Sequence, residues 1–153
     1  MAYLKKSDYS LRISIVHLDE ILTQAAATSG LTVDQVRDNA ENLAYAEIKA
    51  WLSAKYKITE ELGLDSASTD RNPLIMKWAI DISLYTIHFT VNPRDIPEIR
   101  EKAYKAAKEE LEAARDATIL PGLAQKDSFY TRHLLGSQEK FTSKEFDVTE
   151  FCE

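Results

Sequence analysis

The side chains in this sequence that could do chemistry are three histidines, one aspartate and one cysteine. His17, His88 and His133 fall on separate segments, and they could hold a metal ion only if the fold brought them together with carboxylates. Asp81 lies in the most apolar stretch, where burial would perturb its carboxyl pKa and suit it to acid–base work. Cys152 is the only cysteine, and it has no predicted pocket or fixed base beside it, so we do not expect a nucleophile there.

Known catalytic motifs give no support to an enzyme. The sequence contains no phosphate-binding, dinucleotide-binding, zinc-protease, dithiol or nucleophile-elbow pattern. We predict that His17 lies on a helix surface and His88 near a helix end. We predict that Asp81 is a buried carboxylate bonded to a neighbouring hydroxyl, tyrosine or helix end. The sequence therefore predicts a protein that is not an enzyme and needs no metal or cofactor. An enzyme that uses Asp81 in a hidden pocket is the alternative.

Length and composition exclude several classes of protein. The 153 residues suffice for one domain with a real core, and 44% apolar and 29% charged residues are ordinary values for a globular protein. The net charge of −6 disfavours a general nucleic-acid-binding protein, because neutralising phosphates requires clustered lysine and arginine. A single cysteine fits a reducing compartment, and no secretory signal is recognisable. No stretch approaches the ~18 apolar residues that span a bilayer, so we expect no membrane partner.

Apolar residues recur at helical spacing along four segments, which predicts an all-α fold, a compact bundle of four main helices. The first helix covers residues 7–27, and a break near Ser14 is left open as an alternative. The second covers residues 33–56, and Thr32 and Gln35 form a capping-box pattern at its start.

The third predicted helix begins at Asn72 and Pro73, the first as cap and the second in the first turn. It is apolar nearly all round, which is typical of a central helix. The fourth starts at Pro97 and ends around residue 117. Four aromatic residues are expected to anchor the core of this bundle: Trp51, Tyr56, Trp78 and Tyr85.

Two regions of the sequence lack helical periodicity. Residues 57–71 are predicted to form a loop, whose polar part over 65–71 should be exposed and mobile. The helical domain is expected to span residues 1–122. Residues 123–153 carry aromatic residues at irregular spacing, which predicts an extended C-terminal arm that becomes ordered on assembly.

Two aromatic-bearing helical blocks and a basic–aromatic stretch in the arm follow an order that one family shares. The first block has Ala44, Glu47, Ile48, Trp51, Leu52, Lys55 and Tyr56. The second block has Pro73, Leu74, Asp81, Ile82, Ser83 and Tyr85. The stretch in the arm has Lys140, Phe141, Thr142 and Phe146. This arrangement resembles the head–tail connector family of tailed phages, the head-completion or adaptor proteins of Mu-like prophages and siphophages.

The resemblance implies a structural virion protein without enzymatic activity. Such proteins form a ring of their own copies, often twelve, beneath the portal protein in the neck, at the head–tail junction. The ring extends the DNA channel and offers a docking surface to a stopper or tail-completion protein. Packaged DNA would pass through without sequence-specific binding, and the protein would be made in the cytoplasm of the bacterial host. No membrane is involved.

The resemblance also implies roles for individual positions. The arm residues that would bind a partner are Phe129, Tyr130, Arg132, Lys140, Phe141, Thr142 and Phe146. The loop residues that would contact the next subunit of the ring are Asp65, Asp70 and Arg71. The alternative is a stand-alone helical protein–protein interaction module, such as a prophage regulator or inhibitor, which would form no ring.

Overall fold

The computed structural model describes residues 3–119 and 121–126, and it confirms an all-α bundle. A short 3₁₀ helix, Lys6–Leu11, precedes five α-helices. Four of the α-helices are long and one has five residues: α1 (Ile15–Ser29), α2 (Val33–Leu52), α3 (Ile58–Leu62), α4 (Pro73–Val91) and α5 (Glu98–Arg115). The part of the chain that the structure describes contains no β-strand, apart from one isolated bridge between Tyr56 and Gln125.

Helix α4 is the centre of the bundle, as its apolar sequence predicts. It packs against α1, α2, α5 and the 3₁₀ helix. Its N-cap is Asn72, whose side chain accepts hydrogen bonds from the backbone N–H groups of Leu74 and Ile75, and Pro73 occupies the first turn. Its fully buried residues include Ile75, Trp78, Ala79, Ile80, Leu84 and Ile87.

The first predicted helix is two elements, so the alternative with a break near Ser14 is confirmed. The 3₁₀ helix ends at Leu11, and Ser14 caps α1 by accepting a hydrogen bond from the backbone N–H of His17 at 3.3 Å. The break lets Tyr9 point into the core while Leu11, which one continuous helix would have buried, is 73% exposed.

Helix α2 begins at the predicted capping box but ends four residues earlier than predicted. Thr32 and Gln35 exchange side-chain and backbone hydrogen bonds at its start. After Leu52 the chain turns, and the hydroxyl of Tyr56 donates to the backbone oxygen of Ala114 at 3.1 Å. The backbone N–H of Lys57 donates to the oxygen of Ala124, and that of Lys126 donates to the oxygen of Lys55, so the described chain stays attached to the bundle beyond residue 122.

The region predicted as a loop over 57–71 contains helix α3. Ile58 is almost completely buried, which explains why this helix forms despite its length. Helix α5 buries Ala107, Leu111 and Ala114, whereas Ile99 remains exposed. Within the described ranges, no helix is long and apolar enough to cross a membrane.

Candidate interaction surfaces

Arg71 fixes the N-terminal segment to the bundle instead of lying on an exposed loop. Its Nη1 atom donates to Asp8 Oδ2 at 2.6 Å and to the backbone oxygen of Tyr3 at 2.8 Å. Its side chain is only 7% exposed. Burial raises the pKa of Asp8, but the hydrogen bonds from Arg71 and from the backbone of Lys5, together with the charges of these two residues, outweigh burial and hold the pKa below its usual value. The expectation that Arg71 is exposed, like the rest of 65–71, is therefore wrong.

Glu61 joins the same N-terminal segment to the start of α4. Its Oε1 atom accepts hydrogen bonds from the Tyr3 hydroxyl and from the backbone N–H of Asn72, both at 2.6 Å. Burial, together with this carboxylate, raises the pKa of the Tyr3 hydroxyl far above its usual value. Tyr3 is fully buried, so these bonds are part of the core.

Asp81 is the buried carboxylate that the sequence predicts, but its partner is an arginine. Arg12 Nη2 donates to Asp81 Oδ2 at 3.1 Å, and Arg100 Nη2 donates to the backbone oxygen of Arg12 at 3.1 Å. Asp81 Oδ1 is buried and has no hydrogen-bond partner among the described residues. Burial raises the pKa of Asp81, and the nearby Arg12, Lys77 and Arg100 reduce that shift. The predicted partners, a hydroxyl, a tyrosine or a helix end, are wrong.

Glu110 lies beside this cluster and binds two side chains of α4. It accepts from Lys77 Nζ at 2.6 and 2.7 Å, and from Trp78 Nε1 at 2.7 Å. Burial raises its pKa, but the hydrogen bonds from Lys77 and Trp78 outweigh burial and lower the pKa overall. Three cations thus surround two carboxylates here, which makes this side of the bundle locally basic.

A groove runs between the 3₁₀ helix and the N-terminal half of α4, and we call it the basic groove. Its volume is about 460 Å³, and its lining is Leu11, Arg12, Pro73, Met76, Lys77 and Ile80. The lining thus contains four apolar side chains, two cations and no acid. Asp81 is not part of it. An enzyme that used Asp81 would need a cavity in which several polar groups converge on this carboxylate. The groove does not provide such a cavity.

A second exposed surface, the aromatic patch, consists of Tyr85 and Phe89 of α4 and Tyr104 of α5. The rings of Tyr85 and Tyr104 are stacked with centres 4.2 Å apart, and Phe89 lies 6.3 Å from Tyr85. The hydroxyl of Tyr104 donates to Glu47 of α2 at 3.3 Å, which holds the ring in place. Phe89 is 51% exposed, so the patch has no cover within the described chain.

His17 and His88, the two histidines among the described residues, do not form a site. His17 is exposed beside Glu20. His88 is half-buried, and its Nε2 atom has no hydrogen-bond partner in the part of the chain that is described. Burial and the nearby Arg100 lower its pKa. No group of three or more histidine, cysteine, aspartate or glutamate side chains within residues 3–119 and 121–126 is placed to hold a metal ion. His133 and Cys152 lie outside these ranges.

The remaining predicted site residues divide into three groups. The proposed arm contacts Phe129, Tyr130, Arg132, Lys140, Phe141, Thr142 and Phe146 all lie outside the described residues. Of the loop residues, Asp65 and Asp70 are exposed and Arg71 is not. Of the expected core anchors, Tyr56 and Trp78 are buried, whereas Trp51 and Tyr85 are half-buried at the surface.

Sequence reasoning missed both surfaces. The exposure of Leu11 depends on the break before α1, and the basic side chains of the groove are more than sixty positions apart in the chain. The stacking of Tyr85 on Tyr104 also has no local sequence pattern, because the two residues lie on different helices. Comparisons of this chain with protein-family models, with curated proteins and with solved structures give no match. The geometry of the two surfaces is therefore the basis for assigning a function.

Proposed function

We propose that this protein is a structural subunit of a phage head–tail connector, which assembles into a ring in the neck of the virion. The observation that carries the proposal is the presence of two chemically different exposed surfaces on one rigid bundle. On a helix with about 100° per residue, Tyr85 and Phe89 lie roughly 150° from the groove positions Pro73, Met76, Lys77 and Ile80. The aromatic patch and the basic groove therefore lie on opposite sides of α4.

Closed rings require such a pair of surfaces. In a cyclic assembly larger than a dimer, each subunit contacts the next through one surface and the previous one through another. A dimer with twofold symmetry needs only one surface that pairs with itself. The aromatic patch supplies stacked, half-exposed rings of the type that anchor interfaces. The groove, on the far side of α4, supplies the different surface that a ring contact needs.

The sequence resemblance supports the proposed location of this ring in the neck of the virion. Its family forms the channel between the portal protein and the stopper or tail-completion protein. The acidic net charge of −6 suits a channel wall through which packaged DNA passes without sticking. We propose the portal and the stopper as partners, and a ring of about twelve copies, as the resemblance implies.

Virus particles from the source of this chain provide the test. We expect mass spectrometry to detect the chain in purified particles and immunogold labelling to place it at the vertex that joins head and tail. Particles that are intact but lack the chain would overturn the proposal, and a stand-alone interaction module would then be the better hypothesis.

Two matched variants connect this test to the aromatic patch. Phe89→Asp places a charge in the patch, and we expect it to abolish incorporation into particles. Leu31→Asp places the same charge at another exposed apolar residue, in the turn between α1 and α2, and should leave incorporation unchanged. Circular dichroism of both variants checks that the fold is retained. Equal incorporation of the two variants would exclude the aromatic patch from the ring contact.

A further inference from the structure

We propose that the basic groove binds residues 145–153 of the same chain, an acidic segment that contains two phenylalanines. This contact would cover the groove in the isolated subunit, and assembly would have to displace it. The contact uses one of the two surfaces that we propose for the ring, but it forms within the isolated subunit, so it is tested without virus particles.

The groove has the lining that such a segment requires. Leu11 and Met76 offer apolar surface above the buried Ile80, and Arg12 and Lys77 lie beside it with their side chains 37% and 33% exposed. Arg12 uses only Nη2 for its contact with Asp81, so its other guanidinium donors have no partner among the described residues. Lys77 is bound to Glu110, and Arg100 adds a third positive charge nearby. An apolar ring followed by a carboxylate matches this arrangement.

The last nine residues are the part of the chain that matches the groove. They contain four acidic residues and no basic ones: Glu145, Asp147, Glu150 and Glu153. Phe146 and Phe151 lie directly beside these acids. The preceding residues 127–144 contain three lysine or arginine residues against two acidic ones, so they are not complementary to a basic surface.

The chain is long enough for this contact within one molecule. Lys126 is held beside α2 by a backbone hydrogen bond to the oxygen of Lys55 at 2.9 Å. The 18 residues between Lys126 and Glu145 can reach at most about 60 Å when extended. The longest helix, α2, is roughly 30 Å long, so every surface of the bundle lies within reach. A tether of this length gives the segment an effective concentration in the millimolar range, which favours its own groove over that of a second copy in dilute solution.

The natural cysteine allows a direct test on the unmodified full chain. Cys152 is the only cysteine and adjoins Phe151, so a nitroxide spin label can be attached there without any substitution. We expect the label to broaden the NMR methyl signals of Leu11, Met76 and Ile80 strongly, and those of Leu43, which is exposed on α2, only weakly. The broadening should be independent of protein concentration and should decrease as salt is added.

Two matched variants separate docking from chance proximity. Leu11→Asp places a negative charge on the groove wall at a residue that is 73% exposed, and it should abolish the broadening at Met76 and Ile80. Val16→Asp places the same charge at a residue that is 71% exposed but outside the groove, and it should leave the broadening intact. Circular dichroism confirms that both variants keep the fold.

The other outcomes overturn the proposal in distinguishable ways. Groove methyl signals that stay sharp would show that the segment does not bind there. Broadening that disappears on dilution would show that the segment binds a second copy instead of its own chain. Equal loss in both variants would show a general charge effect instead of a specific site. None of these results bears on whether the chain is found in virus particles, so this proposal and the connector proposal fail independently.

Discussion

Replacing Trp78 with alanine tests whether α4 is the centre of the bundle. The side chain is fully buried, and its Nε1 atom donates to Glu110 Oε2 at 2.7 Å. Truncating a buried aromatic residue costs about 3–5 kcal/mol through lost burial and the cavity left behind. We add only about 1 kcal/mol for the hydrogen bond, because Glu110 is partly solvated and keeps Lys77 as a partner. The expected loss of unfolding free energy is therefore about 4–6 kcal/mol.

Urea unfolding followed by far-ultraviolet circular dichroism measures this loss. Because about 5–15 kcal/mol is the whole stability of an ordinary domain, the alanine variant can fail to fold. Trp78→Phe keeps a buried ring without the indole donor, and we expect it to lose about 2–3 kcal/mol and remain measurable.

Trp51→Ala is the matched control for this series. Trp51 is half-buried, and Arg115 Cζ lies 4.9 Å from the centre of its ring. Partial burial predicts a loss of about 1–2 kcal/mol. Equal losses at the two tryptophans, or a loss at Trp78→Ala below about 1 kcal/mol, would refute the central position of α4.

Three further substitutions test local features, each by urea unfolding. Ala117 has a left-handed backbone with φ of 62°, so Ala117→Gly should add about 0.5–1 kcal/mol of stability, and Ala106→Gly inside α5 should remove about as much. Changes of the same sign would contradict the strained turn. Arg71→Ala should remove about 2–4 kcal/mol because it leaves the mostly buried carboxylate of Asp8 without its cation and with only the Lys5 N–H as a donor, whereas Asp70→Ala at its exposed neighbour should change stability by less than about 0.5 kcal/mol. A small effect at both would mean that Arg71 is solvated. Burial raises the pKa of Asp81 in the folded chain, so the charged carboxylate destabilises the fold. This destabilisation is complete at pH values above the folded-state pKa, and it decreases as the pH falls toward the unfolded-state pKa of about 4. The stability of Asp81→Asn relative to the wild type should therefore be more favourable at neutral pH than near pH ~4, and a difference that does not change with pH would contradict the raised pKa.

Features that depend on neighbouring residues could be read from the sequence. The capping box of Thr32 and Gln35 and the start of α4 at Asn72 and Pro73 depend on groups within one helical turn. The central position of α4 follows from apolar residues around its whole circumference. These features were predicted because the interactions that fix them are local.

Features that depend on contacts between distant residues could not be predicted. Arg71 was placed on an exposed loop because its segment is polar, but its partner Asp8 lies sixty-three positions earlier. For Asp81 the sequence predicts a hydroxyl, a tyrosine or a helix end as partner, whereas its actual partner is Arg12, sixty-nine positions earlier. The basic groove depends on the same long-range packing, since Leu11 is exposed only because the chain breaks between the 3₁₀ helix and α1.

The burial of the N-terminal segment has a consequence for synthesis on the ribosome. Tyr3 binds Glu61 and the backbone oxygen of Asn72, and Asp8 binds Arg71. None of these partners exists until about half of the helical bundle has been translated. Tyr3, which is fully buried in the finished fold, is therefore made before Glu61 and Asn72 and lacks these two hydrogen-bond partners until they follow. During translation, this segment is made before the residues that hold it, so it reaches its final position only after they follow.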